Sequence, residues 1–123
     1  MPKVMIIEDD PSMFSLLQML LEFEDYSVVG WNNGGGQEEL ILTIQREHPD
    51  LLLMDVNLRS LNGFEILDTI RKQPILGDVR VIMASGMDLA EQSEQRGADG
   101  FILKPFSPDD LLLKIKQTIV ERA

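Results

Sequence analysis

The chain has 123 residues, no cysteine, and 21 Asp and Glu against 11 Lys and Arg, which gives a net charge of −10 at pH 7. This length predicts a single domain with its own hydrophobic core, and the absence of cysteine excludes disulfides and thiolate metal sites. The strong negative charge opposes direct binding to nucleic acid or anionic membranes, and it favours cations or cationic partners.

Apolar runs along the chain are too short for a signal peptide core or a membrane span. The first run covers only Val4 to Ile7, whereas a membrane-spanning helix needs about 20 apolar residues. We therefore expect a soluble protein, and we take the cytoplasm as its location.

Five short apolar runs alternate with polar segments of helical length. The runs are Val4–Ile7, Tyr26–Gly30, Leu51–Met54, Val79–Ala84 and Phe101–Leu103. The first, third and fourth are apolar almost throughout, which is typical of strands buried on both faces of a parallel sheet. Strands that alternate with helices are joined by right-handed crossovers. The pattern predicts an α/β fold of three layers around one parallel sheet.

Residues that favour helix starts and loops follow several of these runs. Asp10 before Pro11 is a typical N-cap and first helical residue, and Ser107 before Pro108 repeats the signal. The three glycines Gly34–Gly36 predict a mobile loop after the second strand.

Polar and charged side chains follow four of the apolar runs. They are Glu8, Asp9 and Asp10 after the first run, Asp55 and Asn57 after the third, Ser85 after the fourth, and Lys104 after the fifth. In open parallel sheets, the carboxyl ends of the strands meet at the edge where ligands bind. Clustered carboxylates repel each other unless a cation neutralises them, and Mg²⁺ leaves room for a phosphoryl group because it takes only one or two carboxylates. The sequence therefore predicts a Mg²⁺ site at this edge.

Taken together and in this order, the residues resemble the receiver domains of two-component response regulators, including the chemotaxis regulators, over the whole chain. The resemblance implies a flavodoxin-like sheet of five parallel strands in the order 2-1-3-4-5, with five helices. It also implies that Asp55 is the phosphorylated aspartate. Asp9 and Asp55 would bind Mg²⁺, or Mn²⁺ in its place, with Glu8 as a further metal residue that acts through water. The backbone carbonyl of Asn57 would complete the metal shell.

The same resemblance assigns three further residues. It implies that Ser85 is the switch hydroxyl, that Phe101 is the switch aromatic residue, and that Lys104, before a proline that is usually cis, contacts the phosphoryl group. A carboxylate oxygen of Asp55 would attack the phosphorus of a phosphohistidine and form an acyl phosphate, while Mg²⁺ and Lys104 offset the developing charge. The chain would thus catalyse only its own phosphorylation and dephosphorylation.

The resemblance also implies partners and an organisation. The phosphodonor would be a sensor histidine kinase or a histidine phosphotransferase, and an output protein would read the result. A homodimer could form through the fourth helix, fifth strand and fifth helix. We expect residues 1–123 to be a single receiver domain with no effector domain. The alternatives are a phosphorelay intermediate, or a receiver fragment of a larger regulator that acts as a dimerisation or scaffold module.

Three other functional classes agree less well with the residues. A phosphohydrolase with an aspartate nucleophile has a second acid two residues further on, where this chain has Asn57. A flavodoxin-like cofactor binder needs a hydroxyl-rich phosphate loop, which is missing, and this acidic edge would repel a phosphate in the absence of a metal. A degenerate receiver would not be expected to keep Asp55 and Lys104.

Two features depart from the expected pattern. The interval from Ser85 to Lys104 is about three residues shorter than in the family, near one helical turn, so we expect a short or displaced fourth helix. Phe14 falls outside the apolar stripe of the first helix. It is therefore either an ordinary surface residue or a contact for a kinase.

Overall fold

The chain folds into five parallel strands that alternate with five helices. A computed structural model describes residues 2–31 and 35–120, so part of the predicted glycine-rich loop, residues 32–34, lies outside the described residues. The strands are β1 (Lys3–Ile7), β2 (Ser27–Trp31), β3 (Leu51–Asp55), β4 (Arg80–Ser85) and β5 (Gly100–Leu103). The helices are α1 (Pro11–Phe23), α2 (Gln37–Glu47), α3 (Gly63–Lys72), α4 (Ala90–Gln95) and α5 (Pro108–Val120). Within these ranges, no helix combines the length and the apolar character needed to cross a bilayer.

The strand order is β2-β1-β3-β4-β5, and every neighbouring pair is parallel. This confirms the predicted α/β fold and its strand order. After β1 the chain adds β2 on one side and then returns to add β3 on the other, so the direction of winding reverses between β1 and β3. Such a reversal opens a crevice at the carboxyl ends of the two strands. Glu8 directly follows β1, and Asp55 ends β3, at this crevice.

The sheet separates two hydrophobic cores, and alternate residues of β1 contribute to each. Met5 and Ile7 pack in the core that α2 and α3 cover, whereas Val4 and Ile6 pack in the core that α1 and α5 cover. All four side chains are at most 1% exposed. Side chains of a strand point alternately to opposite faces, so a central strand covered on both faces has to be apolar at every position. This is the physical reason for the uninterrupted apolar run.

Helix ends follow the residues that the sequence predicts. Asp10 Oδ1 accepts a hydrogen bond of 2.9 Å from the Ser12 amide at the start of α1, and Ser107 Oγ accepts one of 3.1 Å from the Asp110 amide at the start of α5. Helix α4 has only six residues, as expected from the short interval before Lys104. The shorter interval between Ser85 and Lys104 therefore shortens α4, and β4 and β5 keep their places in the sheet.

Phe14 is half-buried and packs across β2, so neither sequence-based expectation for it describes its main contact. A Cβ atom added to Gly30 would lie 2.2 Å from Cζ of this ring. The ring thus fills the space that a side chain at position 30 would occupy, and it holds α1 against β2. The periodicity of apolar residues in α1 could not predict this contact, because the space for the Phe14 ring exists only where β2 has a glycine.

Candidate functional site

Asp55 is held at the carboxyl edge of the sheet by the last hydrogen bonds of β3. It pairs with Ala84 of β4, and the amide of the next residue, Val56, donates a 2.9 Å hydrogen bond to the Ala84 carbonyl oxygen. The ladder therefore continues one residue beyond Asp55 and fixes the backbone on both sides of it. The Asp55 side chain is 13% exposed, so it points into the crevice with little access to solvent.

The loop after Asp55 returns so close to the end of β3 that only glycine fits at position 63, the first residue of α3. The Gly63 amide donates a 2.7 Å hydrogen bond to the Val56 carbonyl oxygen. A Cβ atom at Gly63 would lie 2.2 Å from the Asp55 carbonyl oxygen, which is a backbone atom and cannot move aside. Asn62 caps the helix that follows, since its Oδ1 accepts a 2.9 Å hydrogen bond from the Phe64 amide. The start of α3 is thus packed directly on the end of β3.

Lys104 is the cation of the site, and it joins the ends of three strands. Its Nζ lies 2.7 Å from Oδ1 and 2.8 Å from Oδ2 of Asp55, and 3.2 Å from Oε1 of Glu8. Its backbone amide donates a 2.8 Å hydrogen bond to the Ser85 carbonyl oxygen, so it follows β5 in register with β4. The Lys104–Pro105 peptide bond is cis, which agrees with the family resemblance.

Burial and neighbouring charges set the protonation of this pair. Burial raises the pKa of Asp55 to about 6 from an ordinary 3.8; Glu8 adds to the rise, and the hydrogen bond from Lys104 opposes it. Burial alone would lower the pKa of Lys104, but the carboxylates of Asp55 and Glu8 raise it above its ordinary value. At neutral pH the site therefore holds an ammonium group beside an ionised, poorly solvated carboxylate.

This raised pKa predicts a pH dependence of stability in metal-free protein. The folded state binds the Asp55 proton more tightly than the unfolded state. Well below pH 3.8 this carboxyl is protonated in both states and its ionisation costs no stability, whereas the free energy of unfolding falls as the pH rises from about 3.8 towards 6. The loss is up to about 3 kcal/mol, since one pKa unit corresponds to about 1.4 kcal/mol. Lys104 does not titrate in this window.

Urea unfolding in EDTA at a series of pH values, with wild type and the Asp55→Asn variant, measures this term. We expect the difference in unfolding free energy between the two proteins to grow in favour of the variant between about pH 4 and pH 6 and then to level off. A difference that moves in the opposite direction would mean that Asp55 is stabilised as a carboxylate by Lys104 more than it is destabilised by burial.

Asp9 supplies the feature that best fits a metal. Its Oδ2 accepts a hydrogen bond from the Arg59 amide. Its Oδ1 is buried and has no hydrogen-bond partner among residues 2–31 and 35–120. A buried carboxylate oxygen without a partner is costly, and a hard cation satisfies it. The donor set at the ends of β1 and β3 therefore suits Mg²⁺, which commonly binds one or two carboxylates and several waters.

Glu8 and Asn57, the two further residues predicted for the metal site, have other contacts in the structure. Glu8 is 8% exposed, and its carboxylate is engaged by Lys104 and by the Asp10 amide, at 3.2 and 3.1 Å. Asn57 is exposed in the loop after β3, where it bridges to Asn62. Over the part of the chain that the structure describes, no three His, Cys, Asp or Glu side chains converge as a metal-binding group. Among the described residues, Asp9 has the only buried carboxylate oxygen without a hydrogen-bond partner. That Glu8, Asp55 and the Asn57 carbonyl complete the metal shell stays a prediction.

Ser85 and Phe101 lie on the β4 and β5 side of the crevice. Ser85 ends β4, is 4% exposed, and accepts a 3.1 Å hydrogen bond from the Met87 amide on Oγ. Phe101, in register with Met83, is half-buried and packs against the core on the α2 and α3 side. Ser85 is therefore tied to the loop that leads to α4, and Phe101 lies level with Met83, two residues before Ser85 along β4.

Sequence reasoning missed two elements of the site. The first is the contact between Lys104 and Glu8, since the sequence assigned Glu8 only to the metal site. A signal for it was available, because Lys104 is the one cation among the residues predicted at this edge, and it would be attracted to every carboxylate there. The second is the hydrogen bond from the Arg59 amide to Asp9. Every residue type except proline carries a backbone amide, so the sequence gives no signal for this contact.

Comparison with known protein families agrees with this geometry. The family model described as the response regulator receiver domain matches residues 4–116. Two curated relatives are the nitrate/nitrite response regulator protein NarL of Escherichia coli, 33% identical over 116 residues, and the alkaline phosphatase synthesis transcriptional regulatory protein PhoP of Bacillus subtilis, 30% identical over 115 residues. Both matches cover 93% of this chain, but 53% of NarL and 47% of PhoP. The chain thus spans about half the length of these relatives.

Solved structures of similar size match over nearly the entire chain. A CheY-like response regulator receiver domain protein from Methanospirillum hungatei is 31% identical with a TM-score of 0.86, and the match covers 99% of this chain and 96% of that one. A putative response regulator from Chloroflexus aurantiacus is 25% identical, also with a TM-score of 0.86, over 98% of this chain and 99% of that one.

Proposed function

This chain belongs to the response regulator receiver domain family, and on that premise we propose that it accepts a phosphoryl group on Asp55 and changes its protein contacts in response. The proposal rests above all on the position of Lys104, whose Nζ lies within 2.8 Å of both Asp55 oxygens. A carboxylate held beside an ammonium group in a crevice shielded from water can act as a nucleophile towards phosphorus, because the cation balances the charge of the incoming group.

The reaction is the transfer of a phosphoryl group from a nitrogen to an oxygen. One Asp55 oxygen attacks the phosphorus of a phosphohistidine, the P–N bond breaks, and the imidazole leaves. Asp55 is ionised at neutral pH, since its pKa is raised only to about 6, so no base is needed to activate it. Lys104 contacts both Asp55 oxygens, so it stays beside the oxygen that does not react, and it can follow the charge as it spreads over the phosphoryl oxygens.

Mg²⁺, when bound, would neutralise part of the negative charge of the carboxylates and of the incoming phosphoryl group. Asp9 and Asp55 would hold it with carboxylate oxygens, and the Asn57 backbone carbonyl with a third oxygen. The unpartnered Oδ1 of Asp9 supports this arrangement. Glu8, which contacts Lys104, would orient the ammonium group and would act on the metal through water. After transfer, Ser85 would donate a hydrogen bond to a phosphoryl oxygen, and Phe101 would turn inward, as the family resemblance implies.

The phosphodonor would be a histidine kinase or a histidine phosphotransferase. An apolar groove of about 400 Å³ runs between α1 and the connection from β5 to α5, and Lys104 lies at one end of it. It is lined by Met13, Leu16, Leu17, Leu20, Lys104, Pro105, Phe106 and Pro108. A helix that carries a phosphohistidine could lie in this groove and bring the phosphorus to Asp55.

A second arrangement is favoured by the lengths of the relatives. NarL and PhoP are named as a response regulator and a transcriptional regulatory protein, and the chain matches about half of each. We propose that this receiver can act as the regulatory part of a transcriptional regulator, through an attached or separate DNA-binding partner. With a net charge of −10, it is unsuited to bind DNA itself.

Removal of the metal tests the proposed chemistry. Incubation with acetyl phosphate and Mg²⁺ should add the mass of one phosphoryl group, and excess EDTA should lower this uptake at least about 100-fold, because two carboxylates then repel the incoming oxygens without compensation. Intact-mass spectrometry over time gives both rates. Equal uptake in EDTA would contradict the metal's role, and an absence of uptake from both acetyl phosphate and a panel of phosphorylated kinases would contradict the function.

A further inference from the structure

The two ends of α4 are attached to the protein in different ways. At the start, Gly86, Met87 and Asp88 are exposed, and the N-cap residue, Leu89, makes no side-chain capping hydrogen bond. At the other end, the Ala98 amide donates to the Ser93 carbonyl oxygen and the Gly97 amide to the Glu94 carbonyl oxygen, both at 3.0 Å. The carboxyl end of the helix is thus closed by backbone hydrogen bonds, whereas its start is held by a longer local hydrogen bond, from the Ala90 amide to Asp88 Oδ1 at 3.3 Å, and by the packing of Leu89.

Arg71, in the last turn of α3, ties the segment after α4 to the rest of the domain. Its guanidinium donates to the carbonyl oxygens of Gly97 at 2.8 Å and Val79 at 2.6 Å, and to Asp99 Oδ2 at 2.9 Å. The same Asp99 oxygen accepts a 2.8 Å hydrogen bond from the Val81 amide in β4. One side chain therefore joins α3, the start of β4 and the turn between α4 and β5. We call these contacts the Arg71 anchor.

Burial and space make the Arg71 anchor stiff. The Arg71 and Asp99 side chains are 18% and 19% exposed, so their charges are screened by solvent much less than those of a surface pair. Gly97 has φ of +95°, and a Cβ atom there would lie 3.3 Å from Arg71 Cγ. A residue with a side chain at position 97 would thus be strained twice, by the backbone and by the arginine stem.

A second arginine, Arg96, also attaches the carboxyl end of α4 to α3. Arg96, the last residue before Gly97, lies 2.6 Å from Asp68 Oδ2 and 4.8 Å from the centre of the Phe64 ring, both on α3. This pair is more exposed, at 42% and 40%, and is therefore the weaker attachment. Both arginines nonetheless act on residues 96–99.

That loop is linked to the reactive edge by one hydrogen bond. Ser85 Oγ accepts from the Met87 amide at 3.1 Å, and the Met87 side chain is 64% exposed. A serine hydroxyl can donate to one group and still accept from another. If Ser85 moves to donate to a phosphoryl oxygen, the Met87 amide can follow it, and the loop moves with it.

We propose, resting on the proposed function, that the Arg71 anchor confines the phosphorylation-dependent rearrangement to residues 86–92, with residues 96–100 as its fixed end. The loop and the first turn of α4 then pivot about a carboxyl end that stays on α3. The backbone that differs between the two forms of the protein is the short segment around Met87, and the backbone entering β5 is unchanged, whichever way the Phe101 ring is turned.

Hydrogen exchange of individual amides, measured by NMR, tests this inference in two arms. In the unphosphorylated arm, the Asp99→Asn variant removes the ion pair but keeps an acceptor for the Val81 amide, so the fold is retained. We expect exchange at residues 96–100 to rise about tenfold or more in this variant, and exchange at residues 86–89 to stay as in wild type. The control is Arg46→Gln, which changes an exposed arginine in the last turn of α2, and we expect no change at residues 96–100.

The second arm uses protein whose phosphorylation has been verified by intact mass. In wild type, we expect phosphorylation to change exchange at residues 86–92 and to leave residues 96–100 as they were. In Asp99→Asn, the change should spread into residues 96–100. An equal change in both segments of wild type, or an Asp99→Asn variant that exchanges like wild type at residues 96–100, would overturn the inference. If the protein takes up no phosphoryl group, the proposed function fails, and the first arm still decides whether the anchor exists.

Discussion

The Asp55→Asn variant should take up no phosphoryl group from acetyl phosphate and Mg²⁺, whereas wild type takes up one. An amide oxygen is a poor nucleophile towards phosphorus and does not give a stable product, so the substitution removes the acceptor while its size is retained. Intact-mass spectrometry over a time course measures the result. Stoichiometric uptake by the variant would show that the acceptor is a different residue.

The control for this experiment is Asp10→Asn, the same chemical change two residues from Glu8. Asp10 caps α1 through Oδ1, and asparagine is an equally good N-cap. We expect this variant to be phosphorylated at the wild-type rate. A fall in both variants would point to the general loss of a negative charge from the acidic edge. A fall in Asp55→Asn alone assigns the effect to the reacting carboxylate.

Loss of Lys104 should have the second largest effect. We expect Lys104→Ala to slow phosphorylation from acetyl phosphate by about 10²- to 10³-fold, because a donor that stabilises developing charge in a shielded site is usually worth that much. Both Asp55 oxygens lie within 2.8 Å of this ammonium group, so no other described contact would replace it. Initial rates from intact-mass time courses, at a pH well above 7 where Asp55 is ionised, measure the effect.

The matched control is Lys116→Ala, which removes an exposed lysine from α5. It makes the net charge more negative by the same amount as Lys104→Ala and should leave the rate within about twofold of wild type. Lys104→Ala also leaves the buried Glu8 and Asp55 carboxylates without their shared cation, so some loss of stability is expected. Urea unfolding separates that loss from the change in rate. A Lys104→Ala variant that is folded and reacts as fast as wild type would contradict the assigned role.

Much of the fold follows from patterns within single segments. The apolar run Val4–Ile7 predicts a strand covered on both faces, and the structure places its residues alternately in two cores. Asp10 before Pro11 predicts the start of α1 because the cap and the helix are neighbours in sequence. The short interval from Ser85 to Lys104 predicts a short α4, since the strands on both sides are constrained by their pairing.

Contacts between distant segments could not be predicted in the same way. Phe14 fits against β2 because Gly30 has no side chain, and no periodicity in α1 reports on a residue of the next strand. The Arg71 anchor uses backbone carbonyl oxygens of Val79 and Gly97, which every residue type possesses. The sequence identified the residues of the site through their position after strands, but which carboxylate faces Lys104 depends on the side-chain packing of the folded crevice.

The most direct test of the account is to locate the phosphoryl group. Borohydride reduces an aspartyl phosphate to homoserine, so peptide mass spectrometry after reduction identifies the residue that carried it. We predict homoserine at position 55 alone in protein treated with acetyl phosphate and Mg²⁺, and none in untreated protein. Homoserine or its glutamate-derived counterpart at Asp9 or Glu8, or an intact phosphate on His48, would contradict the assignment of Asp55 as the acceptor.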